Sequence, residues 1–263
     1  MLTEDQINRF GGVGRLYGIE GLERLLNSHV MVVGLGGVGS WAVESLARTG
    51  VGKLTLVDLD DICITNTNRQ LPAHEENYGK MKAEALAERI KLINPDCEVN
   101  IELTFYSPRS ADHLFSTYPD IVIDAIDSVN AKCHLLSECR QRKIHAISSG
   151  GAGGRKDATM IKVDDITVTL GDRLSSRVCK KLRKEYDFPK GHPVKSEEFN
   201  IPTVFSIEPK TDPQPCSIDG EEPPPLVGPR NLNCATGFGA IAHVTATFGM
   251  IMAQLALEKL LEK

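Results

Sequence analysis

The stretch ITNTNRQ (64–70) sets two asparagines and an arginine a few residues past LTLVDLDD, an apolar run that ends in acids. Asn66 and Arg69 from this stretch, Lys82 further on and Asp127 in DAIDS make a set of one amide, two cations and one carboxylate. Such a set suits cleavage of a nucleoside triphosphate between its α- and β-phosphates. The cations stabilise charge that develops on phosphate oxygens, and the acid holds Mg2+. Each residue alone reads equally well as a turn cap or a solvated charge; the four together do not. A hydride-transfer enzyme leaves its cofactor's pyrophosphate intact and gives Arg69, Lys82 and Asp127 no task.

A phosphate-cleaving set needs a cradle for the phosphates. GLGGVG (Gly34, Gly36, Gly37, Gly39) satisfies G-x-G-x-x-G between an apolar run and an amphipathic one. Glycines permit the tight turn and let phosphate oxygens reach backbone N–H groups at the positive end of a helix. Asp58, 19 residues past Gly39, ends the next apolar run where a carboxylate reaches ribose hydroxyls, and Asp60 beside it joins the nucleotide-binding set.

The elements that must position these groups follow from periodicity. Residues 29–33, 53–60, 98–106, 119–128 and 143–149 read as strands, and the run in PDIVIDAIDS (119–128) is continuously apolar, as in parallel sheets covered on both faces. Between them lie helical patterns after the glycine loop, at 79–93, near 108–118 and at 130–142. This alternation predicts an α/β fold: a doubly wound, mostly parallel sheet with a Rossmann-like ATP site. Asn66, Arg69, Lys82 and Asp127 then share the carboxyl edge of the sheet, where ligands bind. Residues 1–28 form an N-terminal arm, read as two short helices separated by the glycine-rich FGGVGRLYG. Residues 29–149 form the nucleotide-binding half and 150–263 a substrate and dimer half of one domain. In that second half, TMIKVDDITVTL alternates as an antiparallel strand does, and SSRVCKKLRKEY reads as a basic helix. Residues 209–230 carry seven prolines and read as an extended, mobile loop. A long C-terminal helix ends the chain. Its apolar run, 238–261, imitates a membrane span, but His243, Gln254, Glu258 and Lys259 interrupt it, so a buried or interface helix is expected.

A net charge of −5 argues against a protein that coats nucleic acid wholesale, yet leaves room for a local basic patch. Residues 173–195 supply one, with eight Lys/Arg against two acids; Arg173, Arg177, Lys180, Lys181, Arg183 and Lys184 could neutralise several phosphates. Seven cysteines without a CxxC pair predict reduced thiols, a cytoplasmic setting and no zinc.

GLGGVGS, VDLDDICITNTNRQ, GKMKAE and DAIDS together resemble the nucleotide site of the ubiquitin-activating-enzyme-like superfamily, which includes the bacterial molybdopterin- and thiamine-pathway adenylyltransferases. Its members activate a carboxylate as an acyl-adenylate and release pyrophosphate. The resemblance implies that Gly39 lies at the phosphates, Asp58 binds ribose, Asn66, Arg69 and Lys82 contact the phosphates, and Asp127 holds Mg2+. It also implies a homodimer in which Arg15, rather than the neighbouring Arg9, reaches into the partner's ATP site. RFGGVGRLYG, WAVESLARTGVG, SSGGAGG, VFS and NCATGFGA extend the resemblance over nearly the whole chain to the tRNA threonylcarbamoyladenosine dehydratases. That branch implies a tRNA carrying threonylcarbamoyladenosine beside its anticodon as substrate. ATP would adenylate the threonyl carboxylate, and a nucleophile of the same side chain would expel AMP, closing a ring with net loss of water. Because the nucleophile is tethered, its effective concentration replaces a catalytic thiol. The alternative is adenylation of the C-terminal glycine of a ubiquitin-like sulfur carrier, and a sulfur-transfer protein is a candidate partner under either reading.

Cys179 and Cys234 are candidate relay thiols, although cysteine is more often a small buried residue. His74, His134 and His145 show no ligand spacing. SSGGAGGRK (148–156) follows the fifth strand and could admit a bulky substrate or bind a monovalent cation through its carbonyls.

Overall fold

All five residues of His29–Val33 (β1) are buried, Val30 and Val32 in one apolar layer, Met31 and Val33 in the other. Burial on both faces is what a central parallel strand requires. In this computed structural model, which describes residues 2–190, 198–213 and 238–262, β1 pairs in parallel with Lys53–Val57 (β2) and Ile121–Asp124 (β4). Glu98–Glu102 (β3) continues the sheet beyond β2, and His145–Ser149 (β5) continues it beyond β4. The seven strands run in the order β3-β2-β1-β4-β5-β7-β6, with β6 at Ile161–Asp165 and β7 at Pro202–Ser206. β7 is parallel to β5 and antiparallel to β6, so strands from both sides of residue 150 share one sheet. The doubly wound α/β sheet with an antiparallel extension is the one predicted.

Glu4–Leu26 (α1) ends against one face, which Gly39–Arg48 (α2), Lys82–Ile93 (α3) and Ala242–Leu261 (α7) cover. Ala111–Phe115 (α4), Val129–Arg142 (α5) and Arg173–Glu185 (α6) cover the other. α7 is long and apolar enough to cross a membrane, but it packs on α2 and buries Val244, Phe248, Met252, Ala253, Ala256 and Leu257. The approach is so close that a Cβ at Gly249 would lie 2.4 Å from the Val38 carbonyl oxygen. α7 is therefore a core helix.

Three expectations change. The arm is helical straight through its glycine-rich stretch, and the chain breaks only at Gly18 (φ 78°, ψ 167°). Glycines lower helix propensity by only about 1 kcal/mol each, which Phe10, Leu22 and Leu25 offset by burial. The predicted antiparallel strand stops at Asp165, whose carboxylate accepts from Thr167 N at 3.0 Å and turns the chain into a 3-10 turn. β7, short and led by a proline, gives too weak a pattern to be foreseen, yet it sits between β5 and β6.

Candidate active site

After β1 the chain crosses to β2, whereas β4 lies on the other side of β1, so the carboxyl ends of β1 and β4 bound the switch point of the sheet. The glycine loop leaves β1 there, and Ala125 to Ser128 leave β4 beside it. Ala125 N donates to Val33 O at 2.9 Å, holding the two segments together. A Cβ on Gly39 would sit 1.8 Å from Gly34 O, so no other residue fits without moving the backbone. Gly36 and Gly37 meet only side chains, Gln70 at 3.8 Å and Thr245 at 3.3 Å, which leaves their backbone uncovered at the start of α2.

Asp58 is buried, and both its oxygens accept backbone N–H groups: Leu35 N at 2.7 Å and Asp60 N at 2.8 Å. It thus ties the glycine loop to the end of β2. Residues 60–62 zip against 79–82 through Ile62 N to Lys80 O (2.9 Å) and Lys82 N to Asp60 O (3.0 Å). That pairing carries the buried Lys82 back to the loop, where its ammonium meets Asp60 at 2.7 Å. Asn66, also buried, accepts from Cys63 N at 3.0 Å and so shapes the turn that presents Arg69. The Arg69 guanidinium donates to Thr65 O (2.7 Å) and Asn68 Oδ1 (3.0 Å), while its carbonyl accepts from Trp41 Nε1 and Thr245 Oγ1. Gln70, unassigned from sequence, is buried against the loop with Oε1 meeting no donor among the described residues.

Beneath the β4 loop lies a buried network that sequence reasoning also missed. Lys132 of α5 donates to Asp124 Oδ2 (2.7 Å) and Ser148 Oγ (3.1 Å), and Ser148 donates to Asp124 Oδ2 (2.8 Å). The other Asp124 oxygen accepts from Ile126 N at 3.2 Å, which fixes the turn just before Asp127. Asp127 itself is exposed and has no hydrogen-bond or ion-pair partner among the described residues. It lines a cleft of about 590 Å³ together with Ser128, Asn130, Arg177, Lys180, Lys181 and Lys184.

The opposite wall of that cleft is α6. Its apolar face buries Val178, Cys179 and Leu182 in the core, which leaves Arg173, Arg177, Lys180 and Lys184 exposed on the other. Lys181 pairs with Glu185 at 2.6 Å. Arg183 departs from the expected cluster: it stacks 5.1 Å from the Phe199 ring centroid and donates to Pro189 O, facing the body of the protein. Arg15 is exposed on α1 and is not brought to the site within its own chain. Arg9 is engaged by Asp5 at 2.6 Å.

Cys179 is no relay thiol. It is buried, donates to Ile166 O at 3.1 Å, and burial pushes its pKa up to about 12. Cys234 and residues 214–230 of the proline-rich segment lie outside the described residues. His74 contacts Asn77 and His134 contacts the Tyr106 hydroxyl, each through one ring nitrogen. Among the described residues no group of three or more His, Cys, Asp or Glu could hold a metal. Mg2+ takes one or two carboxylates plus substrate phosphates, and the exposed Asp127 carboxylate, unpaired among the described residues, is compatible with such a role.

Residues 12–263 match the ThiF family. The tRNA threonylcarbamoyladenosine dehydratase of Haemophilus influenzae is 46% identical over 258 residues, covering 97% of this chain and 94% of the relative. The crystal structure of the E. coli tRNA N6-threonylcarbamoyladenosine dehydratase in complex with ATP superposes with a TM-score of 0.86 at 40% identity, covering 99% of this chain and 96% of that one. The same enzyme in complex with AMP gives 0.86 at 41%, with the same coverage. With its glycine loop, its free Asp127 and likeness along almost its entire length, this chain belongs to the ThiF family, on the branch of the tRNA threonylcarbamoyladenosine dehydratases.

Proposed function

We propose that this protein is an ATP-dependent enzyme that dehydrates threonylcarbamoyladenosine in tRNA, by adenylating its carboxylate and releasing AMP on ring closure. The observation that carries the reading is the cleft in which Asp127, at the nucleotide switch point, faces Arg177, Lys180, Lys181 and Lys184 of α6. A triphosphate seated on the glycine loop and a polyanion drawn to α6 would meet across Asp127. Arg69 and Lys82 bind the phosphates, Lys82 exchanging Asp60 for a phosphate oxygen, and their charge stabilises the pyrophosphate leaving group. Asp127 would hold Mg2+, which would supply further neutralisation of the phosphates. The Lys132–Asp124–Ser148 network keeps the Asp127 turn in place.

The working unit in this reading is a cytoplasmic homodimer. Arg15 stands on α1 among the exposed Leu16, Tyr17 and Ile19, an apolar stretch suited to a second copy, and would enter the partner's phosphate site from there.

The test is AMP release from ATP and Mg2+ with tRNA carrying the modification, with unmodified tRNA and without RNA, the nucleosides being weighed for loss of one water. AMP and dehydration only with the modified tRNA are expected. Release that needs a protein ending in glycine, and ignores RNA, would replace the proposal with the carrier-protein reading. Arg69→Ala should lower turnover by about 10²- to 10³-fold while the far-ultraviolet spectrum is unchanged.

A further inference from the structure

One buried charge of this protein has no use in the scheme above. Arg155 follows the Gly150–Gly154 loop at the carboxyl end of β5, is only 2% exposed, and its Nε and Nη2 are enclosed without an acceptor among the described residues. A buried guanidinium in that state is costly, and native proteins seldom leave one so. Two carboxylates lie within electrostatic reach, Asp172 and Glu208, but backbone donors use both. Asp172 accepts Ser175 N at 2.7 Å through Oδ1 and Gly151 N at 2.8 Å through Oδ2. Glu208 accepts Lys156 N at 2.9 Å and Asp157 N at 3.0 Å.

More positive charge gathers at the same place. The Lys210 ammonium would lie 3.4 Å from a Cβ on Gly151 and rests 4.7 Å from the Phe238 ring centroid. Burial pushes the Arg155 and Lys210 groups below their usual values; Asp172 opposes this for both and Glu208 for Arg155, while Arg155 and Arg173 push Lys210 down further. Arg173 opens α6 one helical turn before Arg177, which lines the Asp127 cleft. Three cations, Arg155, Lys210 and Arg173, therefore stand against two carboxylates, Asp172 and Glu208, around a glycine loop, a surplus of one positive charge. Such surroundings favour an anion at this face over the monovalent cation that the loop carbonyls suggested.

We propose that Arg155 and Lys210, at the Gly150–Gly154 loop, form an oxyanion subsite for the RNA substrate. The anion is the carboxylate of the modified adenosine or a phosphodiester of the same anticodon loop. A guanidinium and an ammonium bind both chemistries, and glycines let the group approach the backbone. The identity of the anion rests on the tRNA reading; the existence of an anion site does not.

The experiment measures dissociation constants of wild type, Arg155→Gln, Arg155→Lys and Lys210→Ala for the modified tRNA, for the same tRNA unmodified, and for ATP. Lys210 is only half-buried, so its variant reports even if the Arg155 variants fold poorly. Arg155→Gln and Lys210→Ala should each weaken binding of the modified tRNA about 10- to 100-fold, with ATP affinity unchanged and Arg155→Lys intermediate. Weakening confined to the modified tRNA assigns the carboxylate. Equal weakening for both RNAs, with the salt slope reduced by about 1, assigns a phosphodiester. Wild-type affinity for both RNAs in both variants overturns the subsite while leaving the dehydratase reading intact. If wild type itself ignores tRNA, the reading falls and the subsite is judged separately. Inorganic phosphate and acetate are then titrated while the arginine Nε–H resonances are followed: a shift in wild type that is lost in Arg155→Gln supports it, and no shift overturns it.

Discussion

Two buried cations stand at neighbouring points of the sheet edge and differ in one respect. Lys132 has its carboxylate: Asp124 at 2.7 Å, with Ser148 closing the triangle and both residues fully buried. Arg155 is just as deep, but the acids near it are occupied by backbone N–H groups and its nitrogens are left over. A buried ion pair adds little net stability, because desolvation cancels most of its attraction, yet breaking one is expensive. The first cation therefore belongs to the scaffold, holding the turn before Asp127. The second is costly to the free protein and is compensated only by a ligand, as binding sites often are.

Opposite signs of stability change on removing the two charges are the sharpest way to break this comparison. Lys132→Ala leaves Asp124 as a lone buried carboxylate and should destabilise the protein by about 3–5 kcal/mol, read from urea unfolding. Ser148→Ala removes one hydrogen bond to that pair and should cost about 1–2 kcal/mol in the same assay. Arg155→Met keeps volume and deletes an unsatisfied charge, so it should stabilise the free protein by about 1 kcal/mol while weakening RNA binding. A loss of stability there would mean that the guanidinium has a structural partner after all.

The smallest expected effect comes from pH and should be shared by wild type and Arg155→Met. His29 and His145 begin β1 and β5 at the opposite edge of the sheet, and burial holds both below the ordinary imidazole value. A depressed folded-state pKa means that the unfolded chain takes up protons first. Stability is then complete above about 6.5, the unfolded value, and declines as pH falls from there through the folded values. Melting temperature measured against pH should fall below that point with the same slope in Arg155→Met as in wild type. A changed slope would show that the networks at the two edges are coupled.

Much of this was legible in the chain itself. GLGGVG and the apolar runs around it need only local rules: a glycine where a Cβ would strike Gly34 O, and an apolar residue at each position of a strand covered twice. The basic face of α6 was equally plain, but only packing shows that Arg183 turns inward to Phe199 whereas Arg177 and Lys180 face Asp127. The same holds for Cys179, a candidate thiol by type and an inert core residue by position.

The sequence by itself determined the five parallel strands of the first half, the glycine cradle and the types of residue proposed to meet the phosphates, because these follow from periodicity and from residue types at fixed spacing. Only the tertiary structure decided which charges are already spoken for. Asp58 places its oxygens on Leu35 and Asp60, Lys132 finds Asp124 under the sheet edge, and Arg155 has Asp172 and Glu208 within electrostatic reach but bonded to backbone N–H groups instead. Whether a buried charge is satisfied depends on donors and acceptors that distant segments deliver, and no local pattern encodes their arrival.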